Sequence, residues 1–138
     1  MKANKKPIKA NGLIYPDLSY RLMAVLFKVH NHLGSHFQEK YYQRAVELEL
    51  KNQSIPYKRE MMVKISYQGG DLGRYFIDFV IDNKIALEIK SADYFKRTFI
   101  AQVLAYLVAS ELKLGIIVNF NSNKLLSKRL VNPKIQLA

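Results

Sequence analysis

Between Phe76 and Lys90 the chain reads FIDFVIDNKIALEIK, two short apolar strands around a turn at Asp82-Asn83-Lys84. Side chains on a strand alternate between two faces. The odd positions Tyr75, Ile77, Phe79, Ile81, Ile85, Leu87 and Ile89 are all large and apolar, so this face is expected to pack against helices. The even positions are Phe76, Asp78, Val80, Ala86, Glu88 and Lys90, which places every charge of the strands on the other face. Directly opposed residues must share a face, and a one-residue slip would set the apolar row against the charged one. A three-residue turn therefore pairs Ile81 with Ile85, and the same register sets Asp78 opposite Glu88.

Carboxylates opposed in this way have β-carbons about 5 Å apart and repel one another. A divalent cation between them removes the repulsion. Magnesium suits the donors, because it takes oxygen ligands, retains several waters and is commonly held by one or two carboxylates together with phosphate. Asp78 and Glu88 supply the carboxylates, and the backbone carbonyl of Ile89 is placed to be a third ligand. Manganese is expected to substitute. Lys90, on the same face, is positioned to orient or help deprotonate a water and to stabilise charge on a phosphate. The alternative is a salt-bridged trio on an exposed sheet face. Carboxylates partly covered by Phe76, Val80 and Ala86 would still need partners.

Around this hairpin the chain reads as an α/β layered domain with a mixed sheet, in the order ααβββαβ with a possible final β. Pro16-Asp17 opens a helix whose apolar residues recur at helical spacing from Leu18 to Leu33, and Gly34 is placed to end it. Ser35 is expected to cap a second helix, with Gln38 as its reciprocal partner, running to about Asn52. A strand is expected from Met61 to Tyr67, with a turn over Gln68-Gly69-Gly70-Asp71. A helix from about Tyr94 to Lys113 is apolar nearly all round, with Thr98, Gln102 and Tyr106 forming a polar strip that needs polar partners. Strands Gly115 to Phe120 and Leu125 to Val131 close the pattern. Residues 1–12 read as a flexible basic arm and residues 13–138 as one domain.

Composition narrows the chemistry. Lys and Arg number 22 against 11 Asp and Glu, a net charge of +11, and such an excess favours a polyanionic partner, nucleic acid above all. There is no cysteine, which removes disulfides and cysteine-based zinc sites and fits a cytoplasmic location. Polar residues interrupt the apolar segment from Phe99 to Phe120, so no membrane span and no membrane partner is expected. His30, His32 and His36 cluster in sequence, leaving a three-histidine zinc site open beside a surface or substrate-flanking role. Arg74, Lys96 and Arg97 lie near the carboxylates and are candidates for holding phosphates, with solvated surface charge as the alternative.

An Asp on one strand followed by Glu-x-Lys on the next resembles the PD-(D/E)XK nuclease superfamily. The segment VHNHLGSHFQEKYY, Val29 to Tyr42, resembles the one that names its GxxExxY group, with the Glu and Tyr falling on Glu39 and Tyr42 and the glycine replaced by His36. Gln102 to Tyr106 matches a QxxxY element, and the resemblance extends over about residues 17–132. It implies a restriction-endonuclease-like core and a magnesium-dependent nuclease acting on DNA ahead of RNA. It further implies that Glu39 is an outer metal ligand acting through water. Gln102 and Tyr106 would position the substrate phosphate, and Tyr42 and His36 would face the nucleic acid. The oligomeric state stays open between monomer and homodimer. Two other readings stand beside the enzyme: a nucleic-acid-binding or regulatory module with a vestigial site, and a partner subunit of a larger machine.

Overall fold

The computed structural model describes residues 14–136. Helices α1 (Pro16–Leu33) and α2 (Glu39–Asn52) precede strands β1 (Tyr57–Tyr67), β2 (Gly70–Ile81) and β3 (Ile85–Lys90). Helix α3 (Arg97–Ser110), β4 (Leu114–Asn119) and β5 (Leu126–Val131) complete the α/β order read from the sequence. The five strands form one mixed sheet in the order β1-β2-β3-β4-β5. Only β3 and β4 run parallel, and α3 is the crossover between them.

Both faces of the sheet are covered. On one, Leu22, Leu26, Tyr42, Val46 and Leu50 of α1 and α2 pack on Phe79, Ile81, Ile85, Leu87, Ile89 and Phe120. On the other, Val103 and Leu107 of α3 pack on Val63, Ile77, Val80, Ala86 and Ile117. The close seating of α3 depends on Gly115. A Cβ there would stand 3.1 Å from both Leu107 Cδ1 and Val103 Cγ1, tighter than ordinary van der Waals contact.

The expected one-sided apolar row is corrected at its start. Phe79 and Ile81 face α1 and α2, but Ile77 and the half-buried Tyr75 belong to the α3 core. The two strands change face together. Arg59 pairs with Phe79 and Met61 with Ile77, so Glu60 stands opposite Asp78, and Glu60 has a left-handed φ of 51°. Such a distortion turns the strand and re-aims its side chains.

Other boundaries move for local reasons. β1 starts at Tyr57 rather than Met61, held by pairing with β2 as far as Tyr57↔Ile81. Helix α2 starts at Glu39 behind Gln38, without a side-chain cap, so Ser35 does not have the capping role expected of it. α3 runs from Arg97 to Ser110, shorter than Tyr94 to Lys113, and ends where Glu111 turns left-handed. It buries only Val103 and Leu107 fully, and Gln102 is exposed, so the expected buried polar strip is a solvated one at that position. The basic arm expected at residues 1–12 lies outside the described residues.

Candidate active site

The hairpin turn places the site. Asp82 and Asn83 both take left-handed φ values, 50° and 57°, which Asp and Asn tolerate better than most residues. The turn sets Ile81 opposite Ile85, Val80 opposite Ala86 and Phe79 opposite Leu87, and there the β2–β3 ladder ends. Continued one step, that register reaches Asp78 and Glu88. Their carboxylates replace the missing ladder bonds: Asp78 N–H donates to Glu88 Oε1 at 3.1 Å, and Ile89 N–H donates to Asp78 Oδ2 at 2.9 Å. The Lys90 carbonyl accepts from Phe120 N–H at 2.9 Å, toward β4. By strand alternation the backbone of Ile89 is directed the other way, to the side on which β2 has left the ladder.

Glu88 is almost fully buried, 2% exposed, in a sheet whose neighbours are Ile and Leu. Burial, and then the charge of Asp78, push its carboxyl up to about 8. Burial likewise raises Asp78, against the lowering effects of the Ile89 N–H and the Lys90 charge. Glu39, at the first turn of α2, is raised by burial first and then by Asp78, and is opposed by Lys90 and the Ser91 N–H. Lys90, through its charge, thus lowers the pKa of all three acids. Its ammonium lies 4.7 Å from the centre of the Phe99 ring, and Lys96 lies 5.6 Å from the same ring.

The donors fit a hard divalent cation. A buried carboxylate and a half-buried one, whose charges disfavour each other, are drawn together at the mouth of an opened ladder, beside a strand carbonyl directed the same way. Among the described residues no group of three or more His, Cys, Asp and Glu is placed to hold a metal, so Glu39 does not join the pair as a direct ligand. The same fact removes the three-histidine zinc site. His30 is instead buried, its Nε2 2.8 Å from the Ser122 carbonyl oxygen, while His32 and His36 are exposed.

Tyr106 reaches the site from α3. Its ring stacks on Tyr75, with centroids 3.3 Å apart, and burial, then the charge of Glu88, raise its hydroxyl pKa. Gln102, one turn before it, is solvent-exposed, as are Arg74, Lys96, Arg97 and His36. Tyr42 does not face a nucleic acid. It is fully buried, stacks on Phe120 at 4.3 Å, donates to the Gly34 carbonyl at 2.5 Å and accepts Phe37 N–H at 3.3 Å. Its place is structural, pinning the loop that leads into Glu39.

Three residues that sequence reasoning missed complete the setting. The Tyr75 hydroxyl faces Glu88 and lowers its pKa, while burial and that carboxylate raise its own. Arg59 Nε donates to the Asp78 carbonyl at 3.2 Å, and Arg59 Nη1 pairs with Glu47 of α2 at 2.9 Å. Asn119, 1% exposed, accepts from Ala92 N–H and donates to the Ala92 carbonyl, fixing the chain just beyond Lys90. The available signal was an Asn ending an otherwise apolar strand, a buried amide that must find partners.

Residues 16–130 match the family model of the PD-(D/E)XK nuclease superfamily. Nothing among curated proteins matches. A solved structure described as "Crystal structure of SSO0001" is similar at 16% identity and a TM-score of 0.48, over 90% of this chain and 80% of that one. No helix among the described residues is long and apolar enough to cross a membrane.

Proposed function

Because the chain belongs to the PD-(D/E)XK nuclease superfamily, we propose that it is a magnesium-dependent nuclease that hydrolyses phosphodiester bonds of DNA. The observation that carries this reading is the Asp78–Glu88 pair, two carboxylates gathered where the β2–β3 ladder opens, with the charge of Lys90 acting on both. Asp78, Glu88 and the Ile89 carbonyl would hold the cation, with Glu39 linked through water and manganese able to replace magnesium. When bound, that ion lowers the pKa of a water and withdraws charge from the phosphate.

The chain's own residues do the rest. Lys90 orients the attacking water and balances charge developing on the phosphate. Its ammonium is steadied against the Phe99 ring, which limits where it can go. Tyr106 and Gln102 position the substrate phosphate from α3. Arg74, Lys96, Arg97 and His36 supply positive or hydrogen-bonding groups for the backbone, contacts that position without reading sequence. GxxExxY-group membership remains part of this reading, resting on Glu39 and the segment around it.

A second reading is supported by the same hydrogen bonds. Asp78 and Glu88 each accept a backbone N–H, so both have structural work in the absence of a cation, as they would in a non-catalytic nucleic-acid-binding module. Cleavage of labelled single-stranded, double-stranded and branched DNA with magnesium, manganese or EDTA decides between them. Metal-dependent cleavage that is lost in Asp78→Ala and Lys90→Ala, with binding retained, supports the nuclease. Binding without cleavage in every condition supports the module.

A further inference from the structure

The β1–β2 hairpin is far longer than the strand beside it. β2 pairs with β3 only over Phe79–Ile81, whereas it pairs with β1 as far as Tyr67↔Gly70. Residues 70–78 of β2 and 60–67 of β1 therefore run on as a two-stranded ribbon of about 25 Å, starting at the carboxylates. One face of the ribbon is closed by α3, through Val63, Ile77 and the flanking Met61, Ile65 and Tyr75. The other face is open. It carries two directly opposed pairs, Met62↔Phe76 and Lys64↔Arg74. Phe76 is 54% exposed and Met62 48%, and both cations are exposed.

The charged pair is not explained by folding. Like charges directly opposed on a sheet are destabilising, and the nearest acid, Asp71, lies 3.8 Å from Arg74 in a solvated pair of little worth. Phe76 and Met62 support one another across the strands, yet each leaves about half of its surface in water. Together they make an apolar platform two residues from Asp78, followed outward by two cations. A second copy of the chain fits this face poorly, since a symmetric contact would bring the cations toward their own images. A polyanion with flat apolar groups fits it. Phosphates of an intact duplex would answer Lys64 and Arg74 but leave Phe76 and Met62 uncovered. Unpaired bases offer π faces for the platform.

We propose that the open face of the β1–β2 ribbon binds an unpaired nucleic-acid strand, a base stacking on Phe76 against Met62 and the next phosphates lying on Lys64 and Arg74. This rests on the nuclease reading and adds its substrate class: single strands, flaps or frayed ends. A strand laid along the ribbon approaches the carboxylate site from β2, with Phe76 two residues before Asp78.

The test is fluorescence polarisation in EDTA, with a short labelled single strand and the same sequence as duplex, beside a cleavage assay in magnesium. Phe76→Ala should weaken single-strand binding about tenfold, with duplex affinity unchanged within about twofold, and Phe76→Tyr should retain binding. Lys64→Ala and Arg74→Ala should each weaken both and reduce the salt slope for the single strand by about 0.7. Thermal unfolding checks that these exposed substitutions leave the fold intact. If wild-type protein binds and cuts while the ribbon variants match it, the ribbon proposal falls and the nuclease stands. If Phe76→Ala weakens single strand and duplex equally, the stacking proposal falls. If it instead dissociates a wild-type dimer in sedimentation without changing single-strand affinity, the face belongs to a second copy. If wild type neither binds nor cuts any strand, the nuclease reading fails as well.

Discussion

Glu88 Oε1 accepts the backbone N–H of Asp78 at 3.1 Å across the opened end of the β2–β3 ladder. Asp78 Oδ2 returns the contact to Ile89 N–H at 2.9 Å. Each carboxylate thus completes the opposite strand's backbone while crowding the other's charge. An arrangement that satisfies hydrogen bonds and leaves charge uncompensated is stable only when a proton or a cation enters it.

The proton comes first when no metal is present. With Glu88 pushed up to about 8 and Asp78 and Glu39 also raised, the folded protein keeps protons that the unfolded chain releases in the ordinary carboxylate range. The resulting stability is full below the unfolded carboxyl pKa and is lost as pH rises through the folded one. In EDTA, Tm should fall by roughly 5 °C between about pH 5 and pH 8.5. Glu88→Gln should flatten the decline, and magnesium should restore Tm at the upper pH but not the lower. Differential scanning calorimetry across pH checks this.

Tyr75 tunes the same group. Its hydroxyl lowers the pKa of Glu88 by hydrogen bonding to the charged form, so Tyr75→Phe should move the pH midpoint of metal binding and of cleavage upward. A pH profile that does not move would show that the hydroxyl has no influence on Glu88.

Tyr42→Phe separates structure from substrate contact. Removing the hydroxyl leaves the Gly34 carbonyl and the Phe37 N–H without their partner, at a cost of about 1–2 kcal/mol. Denaturant unfolding should register that loss, while nucleic-acid affinity of the folded variant should equal wild type. A selective loss of affinity would reinstate Tyr42 as a contact residue.

Asn119→Ala removes the amide that holds Ala92 at both N–H and carbonyl and also accepts Asn121 N–H. Stability should drop by about 2–4 kcal/mol. Cleavage measured where the variant is still folded should also fall, because the chain after Lys90 is no longer fixed. Unaltered turnover by folded protein would detach this loop from the site.

The hairpin was legible because turn and register agree: Ile81 does meet Ile85, and one step past the ladder each carboxylate reaches the backbone of the opposite strand. So was the order of elements, carried by long periodic runs such as Leu22-Val25-Leu26-Val29. The change of face at Asp78 was not, because Glu60 adopts its left-handed backbone without glycine or proline to mark it. That change turned Tyr75 from an apparent member of one continuous helix-facing apolar row into a neighbour of Glu88. Ser35 carried a good capping signal, but α2 starts at Glu39. Asn119 and Ala92 are joined across 27 residues, a relation no local pattern contains.

The central claim is that Asp78 and Glu88 are cation ligands before they are backbone props, and manganese binding tests it most directly. Titration calorimetry of the wild-type protein near pH 7.5 should show manganese binding accompanied by proton release, since Glu88 is partly protonated there. Asp78→Asn and Glu88→Gln, which keep shape and hydrogen-bonding oxygens, should each abolish it. Equal binding by wild type and both variants, or none by any of them, would contradict the account.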